Sequence, residues 1–252
     1  MPAELAYSLG VVFTGYVVFG LTGFGSALVI VPLLAFRLPL QEVVPLVLLL
    51  DLAASAQLGH LNFSAIRFNE LWRLIPAMVL GAALGLYLAN GGNDPLWLLA
   101  LGIYIVSVGA TGWRRPPAKQ TPPIGQGWSW PFGFGSGLIE AVFATSGPLI
   151  VAYLTRRLTD VNALRSTISS GIFIVVLIAL GGMAATGRLS DAELWQRLPW
   201  LLVATATGCF IGNLAAGRMA PERLKLGIYL VLMASGIAMA VHAVGELGVS
   251  LK

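Results

Sequence analysis

Apolar residues fill this chain in blocks much longer than a soluble core helix requires. They cover roughly 5–36, 43–60, 71–89, 95–112, 128–155, 162–186, 194–216 and 224–245, with polar residues gathered in the gaps. About 20 apolar residues in a helix cross a hydrocarbon core of about 30 Å, so the pattern predicts a succession of membrane helices. The blocks 5–36 and 128–155 do not fit one crossing each. The first, as a single helix, would reach about 48 Å. Both are interrupted, the first by TGFGSALVIVPLL (Thr22 to Leu34) and the second by ATSGPLIVAYL (Ala144 to Leu154).

The interruptions have the chemistry of helix restarts. Glycine or a hydroxyl residue precedes a fresh apolar run, and proline suits a helix's first turn. A helix that starts at membrane depth exposes orphan N–H groups there, which is tolerated only where the backbone lines a cavity. The expectation is two helix N-termini meeting near the midplane and binding an anion through their N–H groups and dipoles. Thr22, Gly23, Gly25 and Ser26 in the first stretch, with Thr145, Ser146, Gly147 and Pro148 in the second, are the candidate substrate-binding residues. The glycines admit a ligand close to the backbone and the hydroxyls add donors.

The long polar connection WRRPPAKQTPPIGQG, 113–127, divides the chain into a first repeat, 1–112, and a second, 128–252. Each half has one interrupted block followed by three ordinary ones, and Gly25 to Leu34 aligns with Ser146 to Thr155. If all eight blocks cross once, the basic residues divide eight to seven between the two sides. If blocks 5–36 and 128–155 are hairpins that return to their own side, eleven fall together: Arg67, Arg73, Arg114, Arg115, Lys119, Arg156, Arg157, Arg165, Arg218, Arg223 and Lys225. Basic loops stay in the cytoplasm, which places 113–127 inside and the N-terminus outside. Three crossings per half then invert the second half against the first. The expected fold is an all-α integral membrane protein of two inverted repeats, each a broken, re-entrant helical hairpin followed by three transmembrane helices.

Composition agrees with a membrane solvent. The chain is 57% hydrophobic and 10% charged, against about 25% charged in soluble domains. Its net charge of +4 is topological and no sign of a nucleic-acid partner. MPAEL carries no basic n-region, so the N-terminus reads as mature protein rather than signal peptide. The tryptophans fall near block ends, where indoles sit among headgroups. Cys209 has no partner for a disulfide within the chain and reads as a small core residue. Pairs of small residues such as Gly81/Gly85 and Gly208/Gly212 read as helix-packing contacts.

Two carboxylates lie within apolar blocks, Asp51 and Glu140. Ionisable groups at that depth are costly and usually functional, which makes both proton-coupling candidates; pairing with a nearby cation is the plainer alternative. Gln57 reads as an interhelical hydrogen-bonding group. Arg165 either completes an anion site or only orients the chain. His60 and His242 lie far apart at block ends and make a poor metal site. No cofactor is expected, and the absence of a Walker A motif leaves ATP out as direct energy source.

GLTGFGSALVIVPLL, a central basic loop, then GFGSGLIEAVFATSGPLIVAYL followed by NALRST together resemble the TauE/SafE sulfite-exporter family. The resemblance spans nearly the whole chain in layout, with the two motifs as its distinctive part. It marks Gly23, Gly25 and Pro32 in the first motif; Gly133, Gly137, Gly147 and Pro148 in the second; and Arg165 with Thr167 after it. GFGS and ATSG depart from the commoner glycine triplet. The resemblance implies a multi-pass secondary transporter in the cell (inner) membrane that carries sulfite or an organosulfonate, with a homo-oligomer left open. Two other classes compete. An intramembrane hydrolase would use Ser136 in GFGSG but needs a base within reach, and a structural or assembly protein would transport nothing.

Overall fold

The computed structural model describes residues 2–59, 64–89, 95–114 and 124–216, with residues 233, 236, 237, 239–241 and 243–245. Among the described residues all regular structure is helical. In chain order the elements are α1 (Pro2–Thr22), α2 (Ser26–Ala35), α3 (Leu40–Gly59), α4 (Phe68–Ala89) and α5 (Pro95–Arg114). After the central connection come α6 (Ser129–Phe143), α7 (Gly147–Leu154), α8 (Val161–Ala185) and α9 (Ala192–Ala216). Five of these have the length and hydropathy of a membrane span: Glu4–Thr22, Leu40–Leu58, Phe68–Ala89, Ser166–Ala185 and Ala192–Ala216. The eighth apolar block, 224–245, and the central connection lie largely outside the described residues.

Both long blocks break where the sequence interrupts them. α1 stops at Thr22 and α2 starts at Ser26; α6 stops at Phe143 and α7 starts at Gly147. Each break forms a hairpin whose outer ends meet. The Tyr7 hydroxyl near the start of α1 donates to the Leu33 carbonyl near the end of α2 at 2.7 Å. Arg157, just beyond α7, donates to the Ile124 carbonyl just before α6 at 3.1 Å. The arms are unequal. α1 is long enough to cross a membrane, whereas the 10 residues of α2 reach only about 15 Å.

Packing across the two halves is reciprocal. α1 lies along α9 and α4 lies along α6, while α3 packs on α8. Glycines set the close approach in both long pairs. A Cβ on Gly81 of α4 would lie 2.0 Å from the Phe134 carbonyl oxygen of α6, and one on Gly137 of α6 would lie 2.0 Å from that of Met78. In the other pair, a Cβ on Gly212 of α9 would lie 2.2 Å from the Val17 oxygen of α1. Helices in lipid gain no hydrophobic drive toward each other, so small residues that let backbones touch hold such pairs together. Gly133 and Gly137, which the family resemblance marks, are packing residues by this measure. Gln57 reaches from α3 to the Ala206 carbonyl of α9 at 3.5 Å, and Cys209 is fully buried beside α1.

The outward face is apolar, with Val79, Leu80, Leu84 and Tyr87 of α4 exposed along one stripe. Trp72, Trp128, Trp130, Trp195 and Trp200 are also exposed near helix starts. Trp97, near the start of α5, meets the Phe143 ring edge-on, centroids 6.1 Å apart, at the second break.

Candidate functional site

The two breaks are closed in the same way. Each upstream helix ends with one residue in the left-handed region, Gly23 at φ 81° and Ala144 at φ 53°. The N–H of each returns to a carbonyl four residues back: Gly23 to Phe19 at 2.6 Å and Ala144 to Glu140 at 2.8 Å. This is the simple left-handed C-terminal cap. The sequence offset that pairs Gly25 with Ser146 also pairs Gly23 with Ala144 and Phe19 with Glu140, so the two breaks share one register. Neither downstream helix has a side-chain N-cap. The N-cap positions are held by Gly25 and Ser146, a glycine and a hydroxyl residue as the sequence pattern expects, and the Ser26 hydroxyl one position on donates to Asp51. Pro148 does take the first turn of α7, whereas Pro32 sits late in α2.

The restarts face each other. A Cβ on Gly147 would lie 3.4 Å from the Phe24 Cβ and 3.9 Å from the Gly25 nitrogen. Between them is a cavity of about 10 Å³, room for about one water. Of the sequence candidates, Gly25, Ser26, Thr145, Ser146, Gly147 and Pro148 line it. Thr22 and Gly23 are not on its wall. Thr22 instead braces the turn, its hydroxyl donating to the Val18 carbonyl at 2.8 Å and accepting the Phe24 N–H at 3.3 Å. Arg165 lies in the early part of α8, and its side chain is outside the described residues.

Both buried carboxylates line the same cavity. Asp51 of α3 accepts the Tyr16 hydroxyl of α1 at 2.8 Å and the Ser26 hydroxyl of α2 at 2.7 Å. It thus ties three helices at the first break. Glu140 of α6 accepts the backbone N–H of Ser146 at 2.8 Å, through Oε2. Neither pairs with a cation among the described residues. At the second break Glu140 Oε1, Thr145 Oγ1 and Ser146 Oγ are buried without a hydrogen-bond partner. Buried polar groups are normally satisfied, and here three unpartnered atoms lie together on residues that line the cavity.

The repeat register shows how the walls differ. Phe19 and Glu140 are equivalent positions and both line the cavity, as do Asp51 and Ile172. Each half therefore supplies one carboxylate and one apolar residue, at exchanged positions. The backbone is duplicated while the chemistry is not. Two bracing residues escaped the sequence reading. Tyr16 had no polar neighbour in sequence to single it out, and Tyr104 of α5 donates to the Thr145 carbonyl at 2.9 Å.

Ser136 does not have a nucleophile's setting. Its hydroxyl donates to the Phe132 carbonyl of its own helix at 2.6 Å. His60 and His242, the imidazoles that might have served it, lie outside the described residues. A second polar cluster ties off the other end of α7. Glu70 of α4 holds Arg157 through Nε at 3.2 Å and Nη2 at 2.7 Å, Arg73 at 2.9 Å and the Tyr153 hydroxyl at 2.7 Å. A guanidinium bound through both nitrogens is the firm form of this pair.

Comparison with known proteins agrees with the motifs. The family described as Sulfite exporter TauE/SafE matches residues 7–239. The "Probable inner membrane transporter protein TsaS" of Comamonas testosteroni is 34% identical over 200 residues, covering 78% of this chain and 82% of that protein. No solved structure matches significantly. These matches set the chain among membrane transporters and apart from enzymes. By the reach of the match and by the motifs at its two helix breaks, the chain belongs to the TauE/SafE family.

Proposed function

We propose that this protein is a secondary transporter of a small sulfur-containing anion, of sulfite or organosulfonate type, in the cell's inner membrane. The observation that carries the proposal is the meeting of two helix restarts at one buried cavity lined by unpartnered hydroxyls. Helix N-termini attract anions through free N–H groups and the dipole, and transporters use broken helices in this way at the midplane. The family name and the inner-membrane transporter TsaS favour the substrate class and the membrane.

The inverted-repeat architecture belongs to the same proposal. Reciprocal packing of α1 on α9 and α4 on α6 is what a twofold relation between the halves 1–112 and 128–252 would produce. The two ion clusters are consistent with opposite faces. Arg73 and Arg157 gather on Glu70, on the side given to the cytoplasmic 113–127 loop. Arg37 lies over the Tyr7 ring at 4.3 Å and Arg197 pairs with Glu42 at 3.7 Å, on the side given to the N-terminus.

The cavity as it stands admits one water-sized body, so an anion of four or more heavy atoms needs it wider. This conformation is the narrow form of the site, with about 10 Å³ between the restarts. Asp51 and Glu140 are the proton-coupling groups, because an anion beside two charged carboxylates is repelled until protons neutralise them. Flux into proteoliposomes tests the reading: saturable uptake of sulfite or a simple sulfonate supports it, and carriage of neither ends it.

A further inference from the structure

We infer that the Glu140 carboxylate is a tethered stand-in for the transported anion, holding the α7 restart until a proton releases it. The inference rests on the anion-transporter reading and adds how the proton and the anion are linked. Its starting point is the bond already described: Glu140 Oε2 on the Ser146 N–H at 2.8 Å, at the N-cap of α7. That N–H is the donor an incoming anion would need. In this conformation it is taken by the protein's own carboxylate. The unpartnered Glu140 Oε1, Thr145 Oγ1 and Ser146 Oγ surround the same position. They are the remaining contacts of a ligand larger than one carboxylate oxygen.

The surroundings leave no other route to neutrality. Asp51 of α3 shares the cavity with Glu140 and is held by Tyr16 of α1 and Ser26 of α2. Tyr104 of α5 faces the break with its hydroxyl on the Thr145 carbonyl. α4 meets α6 near this depth through Met78, Gly81, Ala82 and Gly85, and its charged Glu70 and Arg73 are engaged at the far end of α7. No Lys or Arg among the described residues lines the cavity. An anion therefore enters as Glu140, like Asp51 beside it, gives up its charge. The proton adds to Glu140 Oε2, the bond to Ser146 N–H is surrendered, and the new O–H becomes a further donor to the anion. Proton and anion then bind together and move in the same direction, while the deprotonated carrier recloses empty.

Competition for one donor has a signature that a remote proton site lacks. The probe is methanesulfonate, whose own charge does not change between pH 6 and pH 8. Its binding is read as the thermal stabilisation of purified protein. For wild type, apparent affinity is expected to fall on the alkaline side by up to about tenfold per pH unit for each carboxylate that must take a proton. Glu140→Gln is expected to bind more tightly than wild type at pH 8 and to keep only the shallower pH slope that Asp51 supplies. Glu140→Asp, one methylene short of Ser146, is expected to bind more tightly than wild type at pH 8 while keeping a pH slope. A wild-type affinity that ignores pH overturns the inference, and so does a Glu140→Gln protein with the full wild-type slope. Should Glu140→Gln not fold, an Glu140→Asp affinity at or below wild type at pH 8 overturns it. Failure of methanesulfonate and of sulfite to stabilise any of the three proteins overturns the anion reading itself, and this inference with it.

Discussion

Ala144 occupies the same left-handed turn as Gly23, φ 53° against 81°, at equivalent positions of the two breaks. A side chain in this region costs about 1–2 kcal/mol, a cost glycine escapes. The second half thus holds its break under strain that the first half avoids.

The asymmetry predicts opposite responses. Gly23→Ala meets only the Ser169 hydroxyl at 3.7 Å, so its cost is conformational, about 1–2 kcal/mol. Ala144→Gly relieves the same strain but uncovers one buried methyl, worth about 0.8 kcal/mol. It is expected to leave stability unchanged or raise it by up to about 1 kcal/mol. Thermal unfolding in detergent compares the two directly.

Glycine spacing at the α4–α6 contact makes a second prediction. Gly137→Ala places a carbon against the Met78 carbonyl, and the helices must part, at about 1–3 kcal/mol. Gly10→Ala serves as control, since nothing lies within 4 Å of its Cβ. Equal melting temperatures for the two variants would refute the packing role.

These cases show what was legible in the sequence. The breaks could be read because glycine, hydroxyls and proline inside an apolar run have few other uses. Asp51 and Glu140 could be read because charge at membrane depth is conspicuous. Their partners could not, because Tyr16 and Ser26 reach Asp51 across 35 and 25 residues of chain, a distance no local pattern spans. The fate of the Ser26 hydroxyl was hidden for the same reason: its acceptor, Asp51, lies on another helix. Thr22 and Gly23 close the first break and do not line the cavity, and composition does not distinguish the end of one helix from the start of the next.

Asp51→Asn tests whether that carboxylate is used for its charge or its shape. The amide oxygen still accepts from Tyr16 and Ser26, so the fold is expected to survive. Proton-driven anion uptake is expected to fall by about tenfold or more, equivalent to about 1.4 kcal/mol or more. Tyr16→Phe and Ser26→Ala each remove one bond to the carboxylate, and each is expected to cost about 1.5–3 kcal/mol of stability. Melting and flux measured on the same preparations separate the two effects.

Hairpins and single crossings place two exposed loops differently. Ser64 precedes α4 and Ser190 precedes α9, and both are exposed. With re-entrant hairpins they lie on opposite sides of the membrane; with eight single crossings they share a side. Cys209 is buried and is replaced by alanine to remove background. An impermeant thiol reagent applied to sealed right-side-out vesicles is expected to label Ser190→Cys and spare Ser64→Cys. Labelling of both, or of neither, would favour single crossings.

The contact between the two restarts carries the whole account, and Gly147 is where it is narrowest. A valine there projects toward Phe24 and Gly25 and fills the gap an anion must enter. The decisive measurement is initial sulfonate and sulfite flux into proteoliposomes by wild type and by Gly147→Val of matched topology and melting temperature. Saturable flux in wild type, reduced at least about tenfold in the variant, is the predicted result. Undiminished flux through Gly147→Val would mean that the anion travels elsewhere, and the meeting of the two breaks would lose its role.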